Sequence, residues 1–267
     1  MSQSRSSAAE PKSRFTSRVG NYVRYRPGYP AALLELLRGA WGLSPDTVIA
    51  DVGSGTGLLS RLFLENGNEV FGIEPNAAMR EAGEAYLAEF PGFQFHSVTG
   101  SAEAATLPGP SVDAVVAGQA FHWFEPVAAR GEFQRILRRG GWVALIWNER
   151  QTESSAFLQE YERLLQKFGT DYGRVRESYP NREKMSRFFL RSDFREDRVE
   201  NSQVMDGQGL RGRLLSSSYA PDQGHPQHEA MLQELARIFD KNQIEDRVKF
   251  EYQTRVYSGR LMAGGRS

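Results

Sequence analysis

The chain has 267 residues, with 33 Lys and Arg balanced by 33 Asp and Glu, four histidines and no cysteine. Without cysteine there is no disulfide, thiolate metal site or cysteine nucleophile, and histidines at 96, 122, 225 and 228 are too scattered to predict a metal centre. The length suits one large domain, or one domain with a substantial insertion. No run approaches the roughly 20 apolar residues of a membrane span, and the polar N-terminus lacks the apolar core of a signal peptide. The expectation is a soluble cytoplasmic protein with no membrane partner.

The charge is unevenly spread. Residues 41–134 hold three Arg against twelve acids, whereas residues 135–267 hold twenty-three basic residues against nineteen acids. A nucleic-acid enzyme lays a basic stripe beside its site, so the acidic first half argues against a nucleic-acid partner.

Residues 1–14 are polar, charged and without apolar period, and predict a disordered tail. Phe15 to Tyr25 predicts a short lid helix that mixes aromatic and basic residues, ended by Arg26-Pro27-Gly28-Tyr29-Pro30. A compact helix follows from Ala31 to Gly39. Val48-Ile49-Ala50-Asp51-Val52 then reads as an apolar strand running into Gly53-Ser54-Gly55-Thr56-Gly57, and Leu58, Leu59, Leu62 and Phe63 mark one face of the next helix. Strand, glycine loop and helix make the first βα turn of a nucleotide-binding α/β sheet. Glycine permits positive φ and leaves no Cβ in a ligand's way, and the helix N-terminus offers free N–H groups. The dinucleotide fingerprint is G-x-G-x-x-G; here the third glycine comes one residue early and Leu58 holds its usual place, which argues against a dinucleotide.

A second strand, 69–73, ends in Glu74, about twenty residues past the glycines, where such a sheet presents a carboxylate to a ribose diol. Pro75 and Asn76 open a helix over 76–89 that carries Met79. Further strands are predicted at 93–97, 112–118 and 142–147, a helix at 126–138 and a short turn near 102–106. The runs at 112–117 and 142–146 are continuously apolar, as in strands buried on both faces. Beyond 150 the alternation fails. Helices are predicted at 156–168, 207–217 and about 228–241, an apolar cluster at 185–190, and strands near 198–204 and 247–257. The expected organisation is a tail, 1–14; a core with its N-terminal lid helix, 15–150; a substrate cap with the sixth strand, 151–226; and the last helix and strand with a short tail, 227–267. The cap, formed by 156–168 and about 180–192, would overhang the C-terminal strand ends.

The stretch Asp51-Val52-Gly53-Ser54-Gly55-Thr56-Gly57 resembles the first motif, D-x-G-x-G-x-G, of the class I S-adenosylmethionine-dependent methyltransferases. The resemblance spans roughly residues 15–150 and implies a Rossmann-like, doubly wound seven-stranded sheet ending in an antiparallel pair. It implies S-adenosyl-L-methionine as cofactor, held by Asp51, Gly53, Ser54, Gly55, Thr56, Gly57, Glu74, Pro75 and Met79. The turn Ser101-Ala102-Glu103 would lie against the adenine, although Ser101 replaces the Asp of many relatives and Glu103 could instead open a helix. Gln119 and Ala120 would face the methionine part, with His122 and Trp123 facing the acceptor. Packing of the next helix is the other role open to Phe121, Trp123 and Phe124.

Tyr22-Val23-Arg24-Tyr25-Arg26-Pro27-Gly28-Tyr29-Pro30, Ala120–Phe124 and Ile146-Trp147-Asn148-Glu149-Arg150 are similar to motifs of a subgroup that includes trans-aconitate methyltransferases. In that frame Tyr22 or Tyr25 offers a π face to a sulfonium, Arg26 meets the methionine carboxylate or an acidic acceptor, and Trp147 joins Tyr22, His122 and Trp123 in a substrate pocket. The implied activity is in-line methyl transfer to a small-molecule acceptor, a carboxylic acid ahead of a phenol or an amine. No metal is required, and His122 is the candidate base or hydrogen-bond donor. The rival readings are an NAD(P)-dependent Rossmann oxidoreductase and a non-catalytic cofactor-binding regulatory module. Acceptor identity and oligomeric state stay open.

Overall fold

Continuous apolar runs become the central strands here, and apolar stripes of helical period cover them on both faces. The computed structural model describes residues 24–174, 180–190 and 194–261. The predicted tail at 1–14, most of the predicted lid helix and Tyr22 lie outside those residues. Helix α1, Ala32–Trp41, leads into strand β1, Ile49–Val52, helix α2, Leu58–Glu65, strand β2, Val70–Ile73, helix α3, Ala77–Ala88, and strand β3, Phe95–Val98. Strand β4, Val112–Gly118, a 3-10 turn at Phe121–Trp123, helix α4, Pro126–Ile136, and strand β5, Leu137–Arg150, complete the alternating part. Helices α5, Ala156–Phe168, and α6, Arg182–Phe188, precede strand β6, Arg195–Met205; helices α7, Gly207–Leu215, and α8, His228–Asn242, precede strand β7, Val248–Gly259.

The seven strands form one sheet in the order β3-β2-β1-β4-β5-β7-β6. Strands β1 to β5 pair in parallel, and β7 runs antiparallel to both β5 and β6. The expected antiparallel ending is therefore present. The order reverses beside β1, which opens a crevice at the C-terminal ends of β1 and β4.

Alternation along the central strands divides the core. Ala50, Val52, Val115, Ala117, Val143, Leu145 and Trp147 face α4 and α6, while Ile49, Ala114, Val116, Ala144 and Ile146 face α1 and α2. The fifth strand starts five residues before its predicted position, because Leu137 already pairs with Val112 and the helix has closed at Ile136.

The expected cap divides between two packing layers. Helix α5 buries Phe157, Tyr161, Leu164 and Leu165 with α7, α8 and Phe250 of β7, in a third cluster. Helix α6 instead sends Met185 and Phe188 under the sheet beside Phe121 and Phe133. What reaches over the strand ends is shorter: Thr152, Asp171, Tyr172 and Arg174, and Ser218 with Tyr219. No described helix is long and apolar enough to cross a membrane.

Candidate active site

The C-terminal ends of β1, β2, β4 and β5 open into one cavity of about 680 Å³. That volume lies within the range of small-ligand sites. Its floor is the loop after β1. Gly53, Gly55 and Gly57 all take positive φ, at 68°, 56° and 79°. The three do different work. A Cβ on Gly53 would lie 2.6 Å from the Ala120 Cβ, and one on Gly57 would lie 2.9 Å from the side chain of Leu87, so both glycines admit neighbouring protein, and Gly53 also lines the cavity. At Gly55 the nearest atom would be the Met79 methyl at 3.3 Å, and this glycine does line the cavity with Ser54 and Thr56. Gly57, expected against the cofactor, instead caps α2 and packs on α3.

Asp51 lies wholly out of solvent beneath this loop. Its Oδ2 accepts the Ser60 hydroxyl at 2.6 Å, and its Oδ1 has no hydrogen-bond partner. Burial pushes its pKa up to about 7, against the opposing effect of the Ser60 hydrogen bond, with a smaller upward contribution from Glu74.

Glu74 closes β2. Oε2 accepts the Gly55 N–H at 3.0 Å and Oε1 accepts the Asn76 N–H at 2.8 Å. Glu74 itself lines the cavity. Pro75 and Met79 line the cavity beside it. Ser101, Ala102 and Glu103 follow from the loop after β3. Glu103 does not open a helix of its own: it accepts the N–H of Glu125, the N-cap of α4, at 2.8 Å.

Beyond β4 the chain passes through Gln119 with φ at 59°, a left-handed conformation uncommon outside glycine. The Gln119 N–H donates to the Ile146 carbonyl and its side chain to the Asn148 carbonyl, which holds this turn across the cavity. Ala120, His122, Trp123 and Phe124 line the wall, with Trp123 half exposed at the mouth. His122 Nδ1 is buried without a partner, and its ring tilts against Trp123 at 4.7 Å. Burial, helped by Lys184, pushes the His122 pKa down to about 4, so the imidazole is neutral at pH 7.

Two expected contacts do not reach the cavity. Trp147 is fully buried between Phe121 and Tyr257, both at 6.3 Å, because alternation along β5 turns it with Val143 and Leu145 into the core. Its neighbours Asn148 and Arg150 line the cavity in its place. Tyr25 packs its ring over Gly212 of α7, where only a residue without a Cβ fits. Arg26 does line the cavity, and donates to the Ser216 carbonyl at 3.0 Å. The entering segment is tied down by Asn148 and Asn201, which both donate to the Gly28 carbonyl, and by Gln203, which donates to that of Tyr25.

The far wall, made by Arg150, Tyr172, Arg213, Tyr219 and Tyr252, escaped prediction. Only Arg150 lay in a sequence motif. The others sit in the segment where periodicity fails, and nothing local distinguishes an inward arginine from a solvated one. Among the described residues no group of three His, Asp or Glu side chains could hold a metal ion.

Residues 50–145 match the family described as methyltransferase domain. They form a methyltransferase domain. An uncharacterised methyltransferase of Mycobacterium tuberculosis is 38% identical over 136 residues, covering 51% of this chain and 52% of that protein. The chain thus spans about half the length of its mycobacterial relatives. An uncharacterised methyltransferase of Schizosaccharomyces pombe is 27% identical over 252 residues, covering 91% of this chain and 95% of that protein. Among solved structures, the YcgJ protein of a Bacillus matches with a TM-score of 0.53 and 17% identity, covering 88% of this chain and 100% of that chain. That likeness supports the methyltransferase domain's fold alone.

Proposed function

We propose that this protein is an S-adenosylmethionine-dependent methyltransferase acting on a small carboxylic acid. The observation that carries this reading is a single cavity in which the Gly55–Glu74 corner and an arginine- and tyrosine-lined wall face the same space. The residues present fit the cofactor. Glu74 lines the place for a ribose diol, the loop from Ser101 to Glu103 supplies an adenine wall, and Gln119 with Ala120 borders the place for the methionine part. Bound there, S-adenosylmethionine supplies an activated methyl group.

The protein's own work is then orientation and exclusion of water. Gln119 fixes the turn beneath the methionine end, and Trp123 closes the mouth. His122, neutral at neutral pH, can exchange one hydrogen bond with an acceptor. A carboxylate acceptor needs no base. Titration calorimetry with S-adenosylhomocysteine and with NAD tests the cofactor, followed by transfer of a labelled methyl group to paired acids, phenols and amines. Binding of NAD in place of S-adenosylhomocysteine, or transfer confined to amines, would overturn the reading.

A further inference from the structure

At the far wall of the cavity two buried guanidinium groups, of Arg213 and Arg150, line the same space. Arg213 of α7 is buried at 7% exposure, and among the described residues no carboxylate pairs with it. Its Nη1 donates to the Ser217 hydroxyl at 3.1 Å and its Nε reaches the Tyr252 hydroxyl at 3.4 Å. Burial opposes its charge, yet the hydroxyls of Tyr252, Tyr161 and Tyr219 hold its pKa above the usual arginine value. Arg150, at the end of β5, spends Nη2 on Glu162 at 2.5 Å and on the Tyr172 hydroxyl at 2.9 Å. Its Nη1 is buried and has no partner.

Tyr219 lies among them, its ring edge-on to Tyr172 at 5.0 Å. Burial raises its pKa, but the guanidinium groups of Arg213, Arg26 and Arg150 outweigh that and lower it. Arg174 also lines this end, as do two carboxylates, Asp171 and Glu149, the latter drawn to Arg255 at 3.1 Å. A guanidinium out of water without a counter-ion is costly, and a planar fork with free N–H groups matches a carboxylate.

Position separates this wall from the ribose corner. In the strand order, β2 with Glu74 and β5 with Arg150 are separated by β1 and β4, and Tyr252 belongs to β7 beyond them. Three inter-strand spacings amount to roughly 14 Å, which puts the arginine wall past the turn at Gln119 and Ala120.

We propose that Arg213 and Arg150, with the hydroxyls of Tyr219 and Tyr252, form a recess for a carboxylate of the acceptor other than the one that reacts. The assignment rests on the methyltransferase reading above. A carboxylate clamped by guanidinium groups has its lone pairs engaged and is a poor nucleophile, so the recess orients the acceptor while a second group meets the methyl donor. The acceptor class is then an organic acid with at least two functional groups, one of them a carboxylate that leaves the enzyme unmethylated.

The test uses the full chain loaded with S-adenosylhomocysteine, titrated calorimetrically with succinate and with succinamide, its uncharged diamide. Succinate is expected to bind and the diamide not to bind. Arg213→Met should weaken succinate about tenfold or more, the scale of one lost charged hydrogen-bonding partner, and change S-adenosylhomocysteine affinity less than about twofold. Absent succinate binding, equal binding of the diamide, or succinate affinity unaltered in Arg213→Met would overturn the recess. So would a parallel loss of S-adenosylhomocysteine, which would give Arg213 to the cofactor's own carboxylate. Should Arg213→Met fail to fold, Arg213→Lys and the succinate–diamide contrast in the unaltered protein decide the matter. Failure to bind S-adenosylhomocysteine overturns the methyltransferase reading instead, and succinate titrated into the unloaded protein then reports on the recess by itself.

Discussion

Glu74 accepts the backbone N–H of Gly55 at 3.0 Å, joining the end of β2 to the glycine loop after β1. One carboxylate thereby fixes the loop whose shape defines the cavity floor, and itself lines that cavity.

Replacing Glu74 by Ala therefore removes both functions. Affinity for S-adenosylhomocysteine should fall by about 1.5–3 kcal/mol, the scale of hydrogen bonds to a charged group, and stability by about 1–3 kcal/mol, as the Gly55 and Asn76 N–H groups lose their acceptor. Calorimetric titration and urea unfolding measure the two separately. A folded variant that binds as tightly as the parent protein would end the ribose assignment.

The pH profile distinguishes the roles open to His122. With its pKa pushed down to about 4 by burial and Lys184, it stays neutral from pH 6 to 8, so kcat should be flat across that window rather than rise through the usual histidine value. The folded state binds this proton less readily than the unfolded chain does. His122 therefore costs stability as pH falls from about 6.5 toward 4, and His122→Asn should lessen acid sensitivity. A kcat that climbs between pH 6 and 7 in the parent protein and not in His122→Asn would show an imidazole titrating in the normal range.

The architecture was legible where the physics is local. Continuous apolar runs through Ala114–Ala117 and Val143–Ile146 marked strands buried on both faces, and the spacing of Gly53, Gly55 and Gly57 marked the turn beneath the cavity. Trp147 shows the limit. A motif placed it near the site, and period two along β5 turned it away, so its neighbours Asn148 and Arg150 do what was expected of it. The role of Gly57 was misread for a related reason: positive φ is visible in sequence, but the Leu87 side chain that occupies the space is thirty residues away. Arg213 and Tyr219 were invisible because their inward orientation depends on how α5, α7 and α8 pack on β7, a matter of long-range contact.

Asp51 gives a stability signature of the opposite sign to His122. Its folded pKa, about 7, lies above the ordinary carboxylate value of 3.8, so the folded protein keeps a proton that the unfolded chain releases. The associated stability is full below about pH 4 and is lost as pH rises through 7. Asp51→Asn stays neutral and its side-chain oxygen can still accept from Ser60. The variant should match the parent protein near pH 4 and exceed it by about 2–4 kcal/mol at pH 8, from the linkage of about 1.36 kcal/mol per pKa unit. Denaturant midpoints at the two pH values provide the check. An equal difference at both would mean that Asp51 is ionised in the folded protein throughout.

Gly53 and Ala120 supply a paired test of the loop. A Cβ at Gly53 would lie 2.6 Å from the Ala120 Cβ, well inside contact distance, and the φ of 68° would be strained for alanine in any surroundings. Gly53→Ala should therefore cost about 2–4 kcal/mol, combining the overpacking and backbone terms. It should also weaken S-adenosylhomocysteine, because relief of the clash displaces Ala120 or the loop, and both line the cavity. Changing Ala120 to Gly as well removes the steric part but not the backbone part. The double variant should recover roughly half the lost stability, with a coupling energy of about 1–2 kcal/mol in a double-mutant cycle. Gly55→Ala differs, since its nearest neighbour is the flexible Met79 methyl at 3.3 Å: it should lose less stability than Gly53→Ala, mainly through its φ of 56°. Additive effects at Gly53 and Ala120 would separate the two residues, and the intolerance of Gly53 would then come from its backbone conformation alone.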